Sequence, residues 1–198
     1  MINPSLTGRV FLLPGILYNA GMWFTVFLVG MLLFSCVALF VVTSAFLGFL
    51  QTRVPFVPTS RKDVEFVVKK LALGPKDVFI DLGSGDGRVC FLVEQACGAQ
   101  TVGYEMTWWT HLLAKIKARL KHSRSRFYCR NFFHEDWSGA NVVYGYLYPP
   151  LMRQVEEKFK ADCRPGTFAV IRDFPFPSLK PMEVVYRPGG HEIYIYLK

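Results

Sequence analysis

The sequence predicts an α/β domain: a Rossmann-like sheet, mostly parallel, closed by an antiparallel C-terminal hairpin and preceded by one N-terminal transmembrane helix. Three observations carry this. No charged residue occurs from Val10 to Thr52. Beyond that stretch, short apolar runs of strand character alternate with segments of helical periodicity. One strand-to-helix turn, Asp81-Leu82-Gly83-Ser84-Gly85-Asp86-Gly87-Arg88, is glycine-rich and begins with an acid.

The apolar stretch reads as an anchor. Pro4, Pro14 and Gly15 mark residues 1–20 as an irregular or interfacial lead-in. Trp23 to Leu50 follows, 28 residues, or about 42 Å of helix against a hydrocarbon core of about 30 Å. That is too long for the apolar run of a secretory signal. The expected division is therefore 1–52, lead-in and span, and 53–198, the globular domain. Arg53, Arg61 and Lys62 follow the span closely and only Arg9 precedes it, which places the C-terminal side in the cytoplasm or its topological equivalent. Net charge is +8, of which residues 1–52 carry only Arg9. The basic remainder is drawn to anionic lipid or acidic partners. The five cysteines form no CxxC pair, so neither a zinc site nor a disulfide framework is expected.

Arg53 to Ser60 contains Pro55 and Pro58, which end the helix and favour extended backbone. Thr59 or Ser60 can cap a helix running to about Leu73, with Val64, Val67, Val68 and Leu71 at helical spacing. Val78-Phe79-Ile80 is the first strand, and Val89 to Ala96 suits the helix after the turn. Thr101 to Tyr104 is the second strand. Thr107 can cap a helix from Trp108 to about Lys121, with Trp109, Leu112, Leu113, Ile116 and Leu120 on one side. Phe127-Tyr128-Cys129 is a third strand and Asn141 to Leu147 a fourth. Pro149 and Pro150 begin a helix reaching about Lys160. Gly166 to Ile171 is a fifth strand. Glu183–Arg187 and His191–Leu197 close the chain as a hairpin around Pro188-Gly189-Gly190.

The chemistry sits at the first turn. Glycine permits positive φ and lets a ligand approach the backbone. Gly83, Gly85 and Gly87 read GxGxG, not the GxGxxG of dinucleotide sites. Asp81 would repel a diphosphate but suits a cationic or zwitterionic ligand. Glu105 ends the second strand, where an acid takes ribose hydroxyls. Two acids and this turn suit S-adenosylmethionine, an adenosine with an amino-acid tail and no phosphate. The layout is that of the class I methyltransferase fold.

Several stretches also resemble one family, the membrane-anchored lysine N-methyltransferases of mitochondria that modify the ATP-synthase c subunit and the adenine nucleotide translocase, with their bacterial relatives. They are Pro55-Phe56-Val57-Pro58-Thr59, Asp81 to Arg88, Gly103-Tyr104-Glu105-Met106, Asn131-Phe132-Phe133, Tyr146 to Met152, and Arg172 to Pro177. The resemblance runs from Pro55 to about Pro181. Asn131 departs from it, standing where an acid is frequent.

Asp81 and the turn Gly83, Ser84, Gly85 and Gly87 are expected to hold the methionine end of the cofactor. Glu105 takes the ribose, Met106 lies on the adenine, and Asn131 stands near its exocyclic amine. Tyr148, Pro149 and Pro150 are expected to face the methyl group and wall a lysine channel; they equally suit a turn and a helix start. Phe174 to Pro177 is a rim of the site or a rigid surface loop. The basic run Lys115, Lys117, Arg119, Lys121, Arg124, Arg126 and Arg130 is a solvated face or a contact for anionic lipid or an acidic partner. The scattered histidines read as structural or exposed, and no metal site is expected.

The resemblance implies a lysine methyltransferase acting on an integral membrane protein, single-pass in the mitochondrial inner membrane, or in a bacterial plasma membrane with the domain cytoplasmic. The competing reading is a methyltransferase-fold structural subunit of a respiratory or ATP-synthase membrane complex. A nucleic-acid methyltransferase is disfavoured by the span and by the absence of an N/D-P-P-F/Y tetrapeptide.

Overall fold

The computed structural model describes residues 14–52, 59–187 and 191–198. The first part of the lead-in (1–13), Arg53 to Pro58, and the hairpin tip at 188–190 lie outside the described residues. The chain divides into two compact units, 1–44 and 45–198.

Helix α1 (Pro14–Thr52) is 39 residues long. It begins inside the stretch expected to be irregular. Pro14 can occupy a first helical turn, because its missing N–H would have no partner there in any case. Within it, Gly21–Thr43 is apolar enough to cross a membrane, 23 residues with mean hydropathy 2.7. All its side chains are exposed. The hydroxyls of Thr25 and Thr43 donate to the carbonyls of Gly21 and Leu39 four residues back. Both hydroxyls are thus satisfied inside the helix.

The second unit is built on one seven-stranded sheet. Its strands are β1 (Val78–Leu82), β2 (Gln100–Tyr104), β3 (Arg126–Tyr128), β4 (Val142–Gly145), β5 (Phe168–Arg172), β6 (Glu183–Arg187) and β7 (His191–Leu197). Spatial order is β3-β2-β1-β4-β5-β7-β6. Strands β1 to β5 are parallel, and β7 runs antiparallel to both β5 and β6. Successive strand residues point to opposite faces. Phe79, Val142, Val170 and Ile195 meet Val64, Val67 and Val68 of α2 (Arg61–Lys70) and Val89 and Val93 of α3 (Arg88–Cys97). Ile80, Val143, Ile171 and Tyr196 meet Met152, Val155 and Phe159 of α5 (Met152–Asp162). A parallel sheet covered on both faces explains the unbroken apolar strands.

Several boundaries differ from expectation for local reasons. Helix α2 stops at Lys70, because Ala72 turns left-handed at φ 49°. Strand β5 starts at Phe168, two residues late, after Gly166 turns at φ 90°. Strand β4 ends at Gly145, so Tyr146 to Tyr148 leave the sheet. Pro149 to Leu151 form a 3-10 turn before α5. In α4 (Trp108–Leu120), the buried positions are Thr110 and Ala114. Leu112, Leu113, Ile116 and Leu120 are turned outward.

Candidate functional site

The strand order reverses between β1 and β4, and ligands of open parallel sheets bind outside the carboxyl ends of the strands at such a point. Registers β1–β2 and β1–β4 set Leu82 opposite both Tyr104 and Gly145. The glycine turn, Glu105 and the Tyr146–Pro150 segment therefore leave neighbouring strands at the same end.

Gly83, Gly85 and Gly87 have φ of 75°, 54° and 81°. Each stands where a side chain would be strained. Gly83 and Ser84 both donate N–H to the Tyr104 carbonyl, at 2.9 and 3.0 Å, and Gly87 donates to Ser84. These bonds lock the turn onto the end of β2. Gly87 has a second reason to be glycine, since a Cβ would stand 2.6 Å from the Phe127 ring. Leu147 packs under Gly83 and Gly145 and joins the fourth-strand segment to the turn.

Asp81 is 3% exposed, and the hydrogen bond the structure gives its carboxylate comes from the Cys90 thiol, 3.8 Å away. Burial, reinforced by the negative charges of Glu105 and Asp86, pushes its carboxyl up to about 7 despite that thiol. A buried carboxylate so weakly paired invites a cation. In the turn that follows, the Ser84 hydroxyl is buried and has no hydrogen-bond partner among the described residues. Glu105 stands across the turn. Its two carboxylate oxygens accept the backbone N–H groups of Gly85 at 2.9 Å and Thr107 at 2.7 Å. That orientation pre-sets the carboxylate and leaves lone pairs for two hydroxyls. Asp86 pairs with Lys117 of α4.

Met106 is half exposed beside Glu105. Asn131 serves its own loop. Its side-chain oxygen accepts the Phe133 N–H at 3.0 Å and caps a 3-10 turn, Phe132–His134. Tyr148, Pro149 and Pro150 are exposed, with Tyr148 at the start of the 3-10 turn. Ser84, the three glycines and Glu105 are thus bonded to one another or to the end of β2. Asp81 lies at the end of β1 just before the turn, and Leu147 packs the segment leading to Tyr148, Pro149 and Pro150 against Gly83.

Three features escaped the sequence reading. Gly103 lets Ser84 approach β2, since a Cβ there would lie 2.6 Å from Ser84 Oγ; a glycine inside a strand was the available signal. Cys90 faces Asp81 from the first turn of α3. At the carboxyl end of β5, Arg172 is 3% exposed and lies 3.5 Å from Asp63 and 4.9 Å from the Tyr146 ring centroid. Arg187 reaches the same Asp63 at 2.9 Å. Burial opposes ionisation of Asp63, but bonds from Arg187 and Ser60 and the charge of Arg172 hold it below the usual carboxylate range. An arginine ending a buried strand signals such a partner. This cluster ties α2 to the β5 and β6 strands. Next to it, the Thr59 hydroxyl meets Tyr144 Oη at 3.0 Å.

A family model described as the ANTKMT methyltransferase domain matches residues 81–183. Over 153 residues the chain is 31% identical to the ATP synthase c-subunit lysine N-methyltransferase of Rattus norvegicus, covering 74% of this chain and 69% of that protein. Over 139 residues it is 34% identical to the adenine nucleotide translocase lysine N-methyltransferase of Mus musculus, covering 69% of this chain and 60% of that one. Among solved structures, an RNA methyltransferase from Salinibacter ruber, bound to S-adenosyl-L-homocysteine, superposes with TM-score 0.68 at 29% identity, over 71% of this chain and 93% of that chain.

Proposed function

Because the chain belongs to the family of the ANTKMT methyltransferase domain and is an S-adenosylmethionine-dependent methyltransferase of protein-lysine methyltransferase kinship, we propose that it is anchored in a membrane and methylates a lysine of an integral membrane protein close to the bilayer. The observation that carries this is the pairing of an apolar 23-residue span with a cofactor site at the carboxyl ends of β1 and β2. Residues 1–52 serve as lead-in and anchor, and 53–198 as the catalytic domain. The mitochondrial inner membrane is the proposed location, with a bacterial plasma membrane as the equivalent in a prokaryote.

The cofactor supplies an electrophilic methyl group when bound. Asp81 would meet its ammonium, Ser84 and the glycine turn would hold its amino-acid tail, Glu105 would take the ribose hydroxyls, and Met106 would cover the adenine. Asn131 would stand near the exocyclic amine of the adenine, with its side-chain oxygen already accepting the Phe133 N–H. Tyr148, Pro149 and Pro150 wall the entry of the acceptor. An apolar wall lowers the pKa of a lysine amine and strips its water, and in-line positioning supplies much of the rate. The reactive form is the neutral amine, so the rate rises with pH through the neutral range.

The test is mass spectrometry of membrane proteins from cells with and without the gene, rescued by wild type or by Asp81→Ala. Methyl-lysine lost from one integral membrane protein and restored only by wild type supports the proposal. An unchanged profile, with no activity on membrane extracts, refutes it. Carbonate extraction tests the anchor separately: the full chain stays with the membrane, and deletion of residues 1–52 releases it.

A further inference from the structure

Helix α4 is amphipathic with its apolar side outward. Leu112, Leu113, Ile116 and Leu120 are 45%, 39%, 46% and 77% exposed, whereas Thr110 and Ala114 are the buried positions. At about 100° per residue, the four large side chains spread over roughly 100° of the helix circumference. Lys115 and Arg119 border this stripe on one side. They lead into an open groove of about 630 Å³ between α4 and the edge strand β3, lined also by His122, Ser123 and Arg126. Lys117, paired with Asp86, borders the other side. From Met106 to His134 there is no acidic residue. Among the described residues, no carboxylate pairs with Lys115, Arg119, Lys121 or Arg126.

We infer that this outward face of α4, with the basic groove beside it, is a docking surface for an anionic phospholipid bilayer. Leucine and isoleucine side chains gain by leaving water for the acyl boundary, and the flanking cations meet lipid phosphates at the headgroup level. Nucleic acid would use the cations but would leave the large aliphatic stripe in water, and on the membrane-anchored reading the anionic surface always within reach of this face is the bilayer. A helix of this length holds a membrane weakly by itself. Tethering raises its effective concentration at the surface and makes weak contacts sufficient. Helix α4 starts three residues after Glu105, so docking it would bring the rim of the cofactor site down to the lipid surface. The inference rests on the membrane-anchored reading.

The test uses the full-length chain in lipid nanodiscs, of phosphatidylcholine alone or with roughly one-third phosphatidylglycerol. Ile116→Cys carries an environment-sensitive fluorophore, with the exposed Cys36 and Cys129 replaced by serine. In the anionic discs the label shifts to the blue and is quenched by brominated lipid. Both effects are lost in neutral discs, and both are lost in anionic discs when Lys115, Arg119 and Arg126 become serine. Cofactor binding by that variant stays intact, which shows that it is folded. A label that remains open to aqueous iodide in both discs overturns the docking surface. So does equal burial in neutral lipid, or burial that appears only when RNA or an acidic protein is added. A chain that does not enter the discs at all overturns the anchor reading, and this inference with it; a chain that enters with a water-exposed label overturns the docking surface alone.

Discussion

Replacing Asp81 by asparagine will move stability and cofactor affinity in opposite directions. In the ligand-free fold its carboxyl stands at about 7 against an ordinary 3.8. Between those values the folded protein holds a proton that the unfolded chain has released. Stability therefore falls as pH rises, by about 1.4 kcal/mol per pH unit. The full cost of about 4 kcal/mol is reached near pH 7 and persists above it. Asparagine keeps the shape and carries no charge, so the variant gains most above about pH 7 and almost nothing near pH 4. Cofactor binding reverses the balance. An ammonium opposite Asp81 stabilises its ionised form, and asparagine forfeits a charge-assisted contact of about 1.5–3 kcal/mol, roughly 10- to 150-fold in Kd. Wild-type affinity also rises with pH up to about 7, because binding expels the Asp81 proton. The assays are denaturant unfolding of the full chain in detergent, followed by near-ultraviolet circular dichroism across that pH range, and calorimetry with S-adenosylmethionine. If the variant binds as tightly as wild type, or if wild type does not lose stability relative to it as pH rises, the assignment of Asp81 is wrong.

Glu105→Ala will weaken cofactor binding by about 1–3 kcal/mol in calorimetry, through lost hydrogen bonds to the ribose and a turn no longer held at Gly85. Gly103→Ala will drive a methyl into Ser84 and Phe127, both within 2.8 Å of the new Cβ, and lower unfolding stability by about 1–3 kcal/mol with a parallel loss of binding. Asp63→Asn will remove the carboxylate that Arg172 and Arg187 share and leave the buried Arg172 with only Asp173, among the described residues, as a carboxylate partner at 3.8 Å, costing about 3 kcal/mol in denaturant titration. Because Asp63 ionises more readily than usual in the fold, its stabilisation in wild type is present at neutral pH and is lost as the solution is acidified through that lowered range.

Local pattern alone determined much of this protein. The hairpin strands Glu183–Arg187 and His191–Leu197 have the predicted bounds, because period, β-branching and turn residues act within a few positions. The turn from Asp81 to Arg88 was legible for the same reason: three glycines at alternate positions allow the left-handed backbone found there. Glu105 was legible from its distance along the chain, since a helix and a short strand return it to the same end of the sheet. What sequence could not decide depends on neighbours far along the chain. Periodicity grouped Leu112, Leu113, Ile116 and Leu120 on one side of α4. It could not tell whether that side meets the protein. The small residues Thr110 and Ala114 let the helix lie against the three-residue edge strand β3 and the adjoining α3, a support too narrow to cover both sides. Likewise, only the packing of α3 against β1 brings the Cys90 thiol to Asp81, and only the fold sets Arg172 and Arg187 on one carboxylate of α2. The charge of a buried group depends on how much water and how many partners the tertiary structure leaves it.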